Sequence, residues 1–319
     1  MADESAKPYE YYSSVEESTI EWLWYPYIPY GKLTIVEGDP GEGKSTFMLH
    51  LAALLTKGKP TPDGQEAQPP MTVIYQCPED DISDTIKPRL ISADADCDRV
   101  AFIRDNGNRI NFEDSRIEKT IEATGARLFI FDPLQSFLSQ DSDMNNAGKM
   151  RTILGKLSII ASRHQCAIVI IGHMNKSNGN KNLYRGLGSI DISAIARSIL
   201  MVARDNDEPS VRYMFPVKAN LAPEGPPIGF RFDRDTGFSW IGVCDLNVAM
   251  ETAAPDSRAE KSGTAADIII SMLKEGPVPS ADIFERMAKV GVSDRTVYTL
   301  KSNLRIASVK INNVWYWKL

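Results

Sequence analysis

Residues 38–46 read GDPGEGKST, and Gly38, Gly43, Lys44 and Ser45 have the spacing of GxxxxGK[ST], a turn that holds polyphosphate. Glycines let backbone amides close around an anion that a Cβ would push away. A helix following such a turn aims the positive end of its dipole at the same charge. The chemistry implied is binding of a nucleoside triphosphate by Gly38, Asp39, Pro40, Gly41, Glu42, Gly43, Lys44, Ser45 and Thr46. In such turns the lysine reaches the β- and γ-phosphates and the hydroxyl ligates Mg²⁺, roles that fall to Lys44 and Ser45. Glycine-rich turns also serve as plain connectors, but here LTIVE before and FMLHLAALL after supply the strand and helix that the phosphate-binding reading needs.

Three other apolar runs end on residues suited to act on that phosphate. They are VIYQCPE at Glu79, LFIFD at Asp132 and IVIIGH at His173, and ligands of open α/β sheets sit at the carboxyl ends of strands. Asp132 suits a carboxylate that holds Mg²⁺ or a water of its shell, with a helix N-cap as the alternative. Glu79, on a strand expected beside the phosphate turn, is a candidate to activate the attacking water. Asp80 and Asp81 compete with it, and a first-turn acid favoured by a helix dipole is the bland reading. His173 is placed to donate to the γ-phosphate and report its loss, or is a strand-end histidine satisfied locally.

The elements that must position these residues follow from periodicity. Strands are expected at 33–37, 71–77, 99–103, 127–132 and 166–173, and helices after the turn, over 81–94 with a kink at Pro88, over 113–125 ending at Gly125, and over 143–165. Alternating β and α with short apolar strands predicts a mostly parallel, doubly wound sheet. AIARSILMVARD, VRYMFPVK and IGFRFD then suggest three more strands, expected as antiparallel additions at one sheet edge. EWLWYPYIPYGK at 21–32 reads as aromatic cover for the sheet edge, and 1–20 as a flexible arm. An ATPase-sized domain over 21–245, a linker over 246–263 and a small domain over 264–319 complete the expected organisation.

Composition narrows the classes. The chain has 319 residues with 43% hydrophobic and 24% charged, and its net charge of −6 argues against a uniformly basic nucleic-acid coat. Residues 261–319 nevertheless carry nine Lys/Arg against five Asp/Glu, a net of +4 that leaves −10 for residues 1–260. Cys77, Cys97, Cys166 and Cys244 are far apart, with no CxxC and only three histidines, so neither zinc nor a disulfide framework is indicated. The polar N-terminus and the lack of an apolar span predict a cytoplasmic protein.

Taken together, GDPGEGKST, VIYQCPEDD with PRL, LFIFDPLQSFL and IVIIGHMNKS resemble the RecA-like ATPases, most closely the hexameric plasmid helicases of the RepA type. More distant members are the replicative helicase core, the RadA branch and the KaiC clock ATPases. The resemblance covers about residues 20–240 and implies Glu79 as catalytic base, Asp132 at Mg²⁺ and His173 as γ-phosphate sensor. It also places Arg197, which closes RGLGSIDISAIARS, as an arginine entering the neighbouring subunit's site. In PVKANLAP, Lys218 matches one half of a Lys-x-Arg pair whose arginine is replaced by Asn220, which favours Arg197 over Lys218 as the trans finger. Arg89 resembles a family arginine near the adenine. Two loops, 140–151 and 175–188, would face a ring channel, and Lys176, Lys181, Tyr184 and Arg185 in the second suit contact with single-stranded DNA.

Residues 264–319 read as three helices and a hairpin, TAADIIISMLKEG, SADIFERMAKVG, SDRTVYTLKSNLR and ASVKINNVWYWKL, and this order resembles a winged helix-turn-helix. Arg295, Thr296, Tyr298, Lys301 and Arg305 lie on or near the face that would read duplex DNA, with a module used for protein contact as the alternative. The expectation is an α/β, RecA-like P-loop NTPase that uses Mg-ATP on DNA, assembled as a homo-hexamer and acting as a replicative-type helicase. Alternatives are a DNA-bound regulatory ATPase without unwinding and a KaiC-like signalling ATPase.

Overall fold

The computed structural model describes residues 9–138, 147–172, 194–205, 208–233, 236–245, 257–274, 276–290, 292, 297–298, 300–301, 304, 306–311 and 314–318. The chain forms two compact units, Met1–Ala253 and Ala254–Leu319. In the first, β1 (Trp22–Trp24) and β2 (Ile28–Pro29) make a small antiparallel ribbon ahead of β3 (Leu33–Glu37), α1 (Lys44–Thr56) and β4 (Val73–Gln76). There follow α2 (Lys87–Ser92), β5 (Val100–Ala101), α3 (Ser115–Thr124), β6 (Leu128–Phe131), α4 (Ala147–His164), β7 (Ala167–Ile171) and then β8 (Ser198–Arg204), β9 (Val211–Ala219), β10 (Ile228–Asp233) and β11 (Gly237–Val243).

Nine of these strands form one sheet in the order β11-β10-β9-β8-β3-β7-β6-β4-β5. From β8 to β5 every neighbour is parallel, while β9, β10 and β11 add on antiparallel. Alternate residues of the central strands feed two cores, because successive side chains point to opposite faces. Val36, Tyr75, Ile130 and Val169 pack with α1, and Ile35, Ile74, Phe129 and Ile168 lie in the core that α3 and α4 cover. Trp24 and Tyr27 are buried and stack toward Phe47 of α1, so the 21–32 aromatics cover this core, as expected.

Several expectations are corrected. β8 is not an antiparallel edge strand: it lies parallel beside β3 with Glu37 opposite Met201, inside the sheet, as its continuous apolar run SILMVA suits. β11 was not expected, and β4 is separated from β3 by β6 and β7 instead of lying next to it. The helix expected over 81–94 with a kink at Pro88 is a π-turn at Ile82–Ile86, capped by the Asp81 carboxylate, followed by α2. Pro88 sits in the first turn of α2, where a missing N–H leaves no bond unmade.

The second unit contains α5 (Ser257–Leu273), β12 (Val278–Pro279), α6 (Ser280–Lys289), a helical turn including residues 297, 298, 300 and 301, and the β13 (Ala307–Ile311) and β14 (Val314–Lys318) pair. α5 begins inside the stretch expected to be linker, since SRAEKS is built of helix-tolerant residues. β12 is an unexpected third strand, antiparallel to β14. Ile269, Ile283, Met287, Val297, Leu300 and Trp317 form its core. Among the described residues no helix is long and apolar enough to cross a membrane.

Candidate functional site

The turn between β3 and α1 is shaped by three glycines. Gly41 and Gly43 have φ of +83° and +87°, in the left-handed region that disfavours a Cβ. At Gly38 a Cβ would stand 2.2 Å from the Val202 carbonyl oxygen of β8, a backbone clash with no remedy. α1 starts with no side-chain cap, so its first amides are left for an anion. Lys44 is 4% exposed, and its Nζ donates to the carbonyls of Gly38 and Asp39, both at 2.8 Å. Burial pulls its pKa down, against the pull of Asp132, Glu42, Asp39 and Glu37.

The carboxylates sit at the ends of adjacent strands and are held crosswise. Tyr75 of β4 donates its hydroxyl to Asp132 after β6 at 2.6 Å. Ser136, in the turn that follows Asp132, donates to Glu79 after β4 at 2.7 Å. Asp132 is buried and Glu79 exposed. The neighbouring acids have other work: Asp81 accepts from the Ser83 and Asp84 amides, and Asp80 pairs with Arg89 at 2.7 Å. Sequence reasoning missed Tyr75 and Ser136, whose roles depend on β4 and β6 being neighbours.

It also missed two arginines. Arg204, at the end of β8, donates to the Gly41 carbonyl at 2.6 Å and stands 3.7 Å from the Glu42 carboxylate. Its cross-strand partner Arg212 is buried, with Nη1 on the carbonyls of Ser210 and Phe232, and lies 3.1 Å from where a Cβ on Gly43 would be. Burial lowers the Arg212 pKa and the Arg204 charge adds to the shift. Glu37, the last residue of β3, is 2% exposed, and burial pushes its carboxyl up to about 7 against the Lys44 charge. Among the described residues, Glu37 Oε2, Glu42 Oε2, Arg204 Nε and Arg212 Nε are buried without a hydrogen-bond partner.

Unsatisfied buried charge at one turn is expensive unless a ligand supplies the missing partner. The glycine cradle, the uncapped helix and the orphaned Nε donors of Arg204 and Arg212 fit a polyphosphate. The oxygen donors of Ser45 and Asp132 fit a hard divalent cation such as Mg²⁺.

Other expected site residues lie elsewhere. Arg197 and Lys218 are together at the opposite end of the sheet: the Arg197 amide donates to Leu33, at the start of β3, and the Asn220 amide to Arg197. Lys218 faces Ile199, and its pKa is lowered by burial and by Arg197. With β3 five residues long, both are roughly 13 Å of strand from this chain's own phosphate turn. Arg89 is engaged by Asp80. Lys301 holds its ammonium 4.9 Å from the Trp317 ring centroid and donates to Ser308. His173, Lys176, Lys181, Tyr184, Arg185, Arg295, Thr296 and Arg305 lie outside the described residues.

Comparison with known proteins agrees with this geometry. Residues 11–179 match the AAA_25 family, an AAA domain. The chain is similar to DNA repair protein RadA of Helicobacter pylori, 30% identical over 148 residues, and of Chlamydia pneumoniae, 27% identical over 148 residues. Each alignment covers 46% of this chain, and the chain spans only 29% of either relative's length. Among solved structures, the ATPase domain of G40P matches with a TM-score of 0.50 at 12% identity, covering 67% of this chain and 85% of that one, which shows a shared fold. With its family matched over more than half its length and its phosphate turn at the carboxyl end of a mostly parallel sheet, the chain belongs to the AAA_25 family of AAA domains and carries a P-loop on a RecA-like fold.

Proposed function

We propose that the chain is a Mg-ATP-dependent ATPase acting on DNA, a ring-forming replicative-type helicase of the RepA group with unit 2 as its winged helix. The observation that carries the catalytic part is the crosswise support of Asp132 by Tyr75 and Glu79 by Ser136 beside the Lys44 turn. Glu79 accepts the proton of the attacking water; its exposure and its single fixed oxygen suit a base that must reach a substrate. Lys44 leaves the Gly38 and Asp39 carbonyls for the terminal phosphates. Mg²⁺, held by Ser45 and Asp132, neutralises phosphate charge when bound. Arg197 acts on the next subunit, which is the use open to an exposed arginine at the far end of the sheet. The resemblance to the RadA proteins, which are DNA repair proteins by name, supports DNA as the target.

The test is ATP turnover with and without single-stranded DNA, in wild type and Lys44→Ala. Stimulation by single strands that Lys44→Ala abolishes is expected. Binding of duplex sites without unwinding supports the regulatory ATPase instead. Indifference to DNA supports a KaiC-like signalling ATPase.

A further inference from the structure

We propose that one face of unit 2, formed by the β13–β14 hairpin and the helical turn at 297–301, is a stacking surface for single-stranded DNA, with Trp315 and Tyr298 carrying the bases. The inference rests on the DNA reading above, adds Trp315 and Lys310 to it, and gives Tyr298 a single strand rather than a duplex to meet. Trp315 and Trp317 share one face of β14 by strand alternation. Trp317 is 2% exposed and packs on Phe284, whereas Trp315 projects past the core and is 53% exposed. Tyr298 is 59% exposed with its ring 6.4 Å from that of Trp317, so the exposed rings flank a buried one.

Two ammonium groups lie against rings of this face. Lys301, one turn after Tyr298, lies over Trp317, and Lys310, the cross-strand partner of Trp315, has Nζ 5.8 Å from its ring centroid. Each lysine therefore lies against one ring of this face, Lys301 on Trp317 and Lys310 beside Trp315, while Tyr298 packs directly against Trp317. A patch for an apolar protein surface gathers its rings at the centre and moves charge to the rim. Lysines paired with rings at the centre of the face suit a strand whose phosphates meet lysines while its unpaired bases lie on exposed ring faces. A duplex keeps its base faces stacked inside and presents only edges. Lys301, expected to reach into a groove, is instead turned onto Trp317 and Ser308. The excess of nine Lys/Arg over five Asp/Glu in residues 261–319 favours an anionic partner.

Fluorescence anisotropy of the full chain with labelled oligo-dT, a duplex of equal length and oligo-U, all without nucleotide, tests this. Trp315→Ala is expected to weaken oligo-dT binding about tenfold, within the range for one lost base–aromatic stack, and Tyr298→Ala by a similar factor. Trp315→Phe should stay within about threefold of wild type, since a ring is kept. Duplex affinity should be unchanged in both Trp315 variants, and quenching of tryptophan fluorescence by oligo-dT should fall in Trp315→Phe. A far-UV spectrum and thermal midpoint equal to wild type separate lost contact from lost fold, as a half-exposed ring permits. Unchanged oligo-dT binding in Trp315→Ala, equal losses on duplex and single strand, or tighter binding of oligo-U would each overturn the assignment. If single strands stimulate turnover equally in wild type and Trp315→Ala, the DNA reading survives and this surface does not. If wild type binds no DNA, the reading itself fails.

Discussion

The two ends of the nine-stranded sheet use charge in opposite ways. At the carboxyl ends, Glu37, Lys44, Asp132 and Arg212 are buried, and Glu37 Oε2 and Arg212 Nε have no hydrogen-bond partner. At the amino end, Arg197 is exposed and Lys218 half-buried beside it, with nothing comparable to the glycine cradle among the described residues. Buried charge left incomplete marks a place that a ligand completes within the subunit. Exposed charge at the far end acts only on something brought to it, and a second copy of the chain is the proposed object.

The sharpest way to break this contrast is Arg197→Ala. Turnover of the assembled protein is expected to fall about 10³-fold, while affinity for nucleotide, measured on dilute dissociated chain, stays within about twofold. Equal loss of affinity would put Arg197 in its own subunit's site and erase the difference between the two ends.

Arg204→Ala addresses the carboxyl end. By gripping the Gly41 carbonyl, Arg204 fixes the phosphate turn, so its loss should raise the dissociation constant of a fluorescent ATP analogue about tenfold. Arg204→Lys should recover only part of this, because an ammonium lacks the planar fork.

Glu37→Gln sharpens the contrast through stability. A carboxyl raised from its ordinary 4.5 to about 7 gives the folded state a bound proton that the unfolded chain lacks between those values. Its contribution is present below pH 4.5 and is lost as pH rises through 7. At pH 8 the glutamine variant should be more stable than wild type by up to about 3 kcal/mol, at about 1.4 kcal/mol per pKa unit, and at pH 4 nearly equal to it. Parallel melting curves check the sign.

Much of this was legible in the residues. GDPGEGKST located the phosphate turn, and the apolar runs located every strand of the parallel block, because buried strands must be continuous in Val, Ile, Leu and Phe. Their order was not legible, since SILMVAR reads the same whether it lies at an edge or beside β3. From that one misplacement followed the omission of Arg204 and Arg212, which approach the turn only because β8 runs parallel to β3 past Glu37. Tyr75 and Ser136 escaped for the same reason: adjacency of β4 and β6 is a tertiary fact. β11 was missed because GFSWIGV alternates exposed and half-buried positions without strongly polar residues. In unit 2, SRAEKS was read as linker by composition although its residues tolerate a helix well.

The central claim is that nucleotide occupies the 38–45 turn and that Glu79 acts on it. Single-turnover hydrolysis of ATP by Glu79→Gln, alongside equilibrium binding to the same protein, tests it most directly. The account predicts affinity within about threefold of wild type and a hydrolysis rate lower by about 10²-fold or more. Hydrolysis within about tenfold of wild type by a variant that binds ATP normally would contradict it.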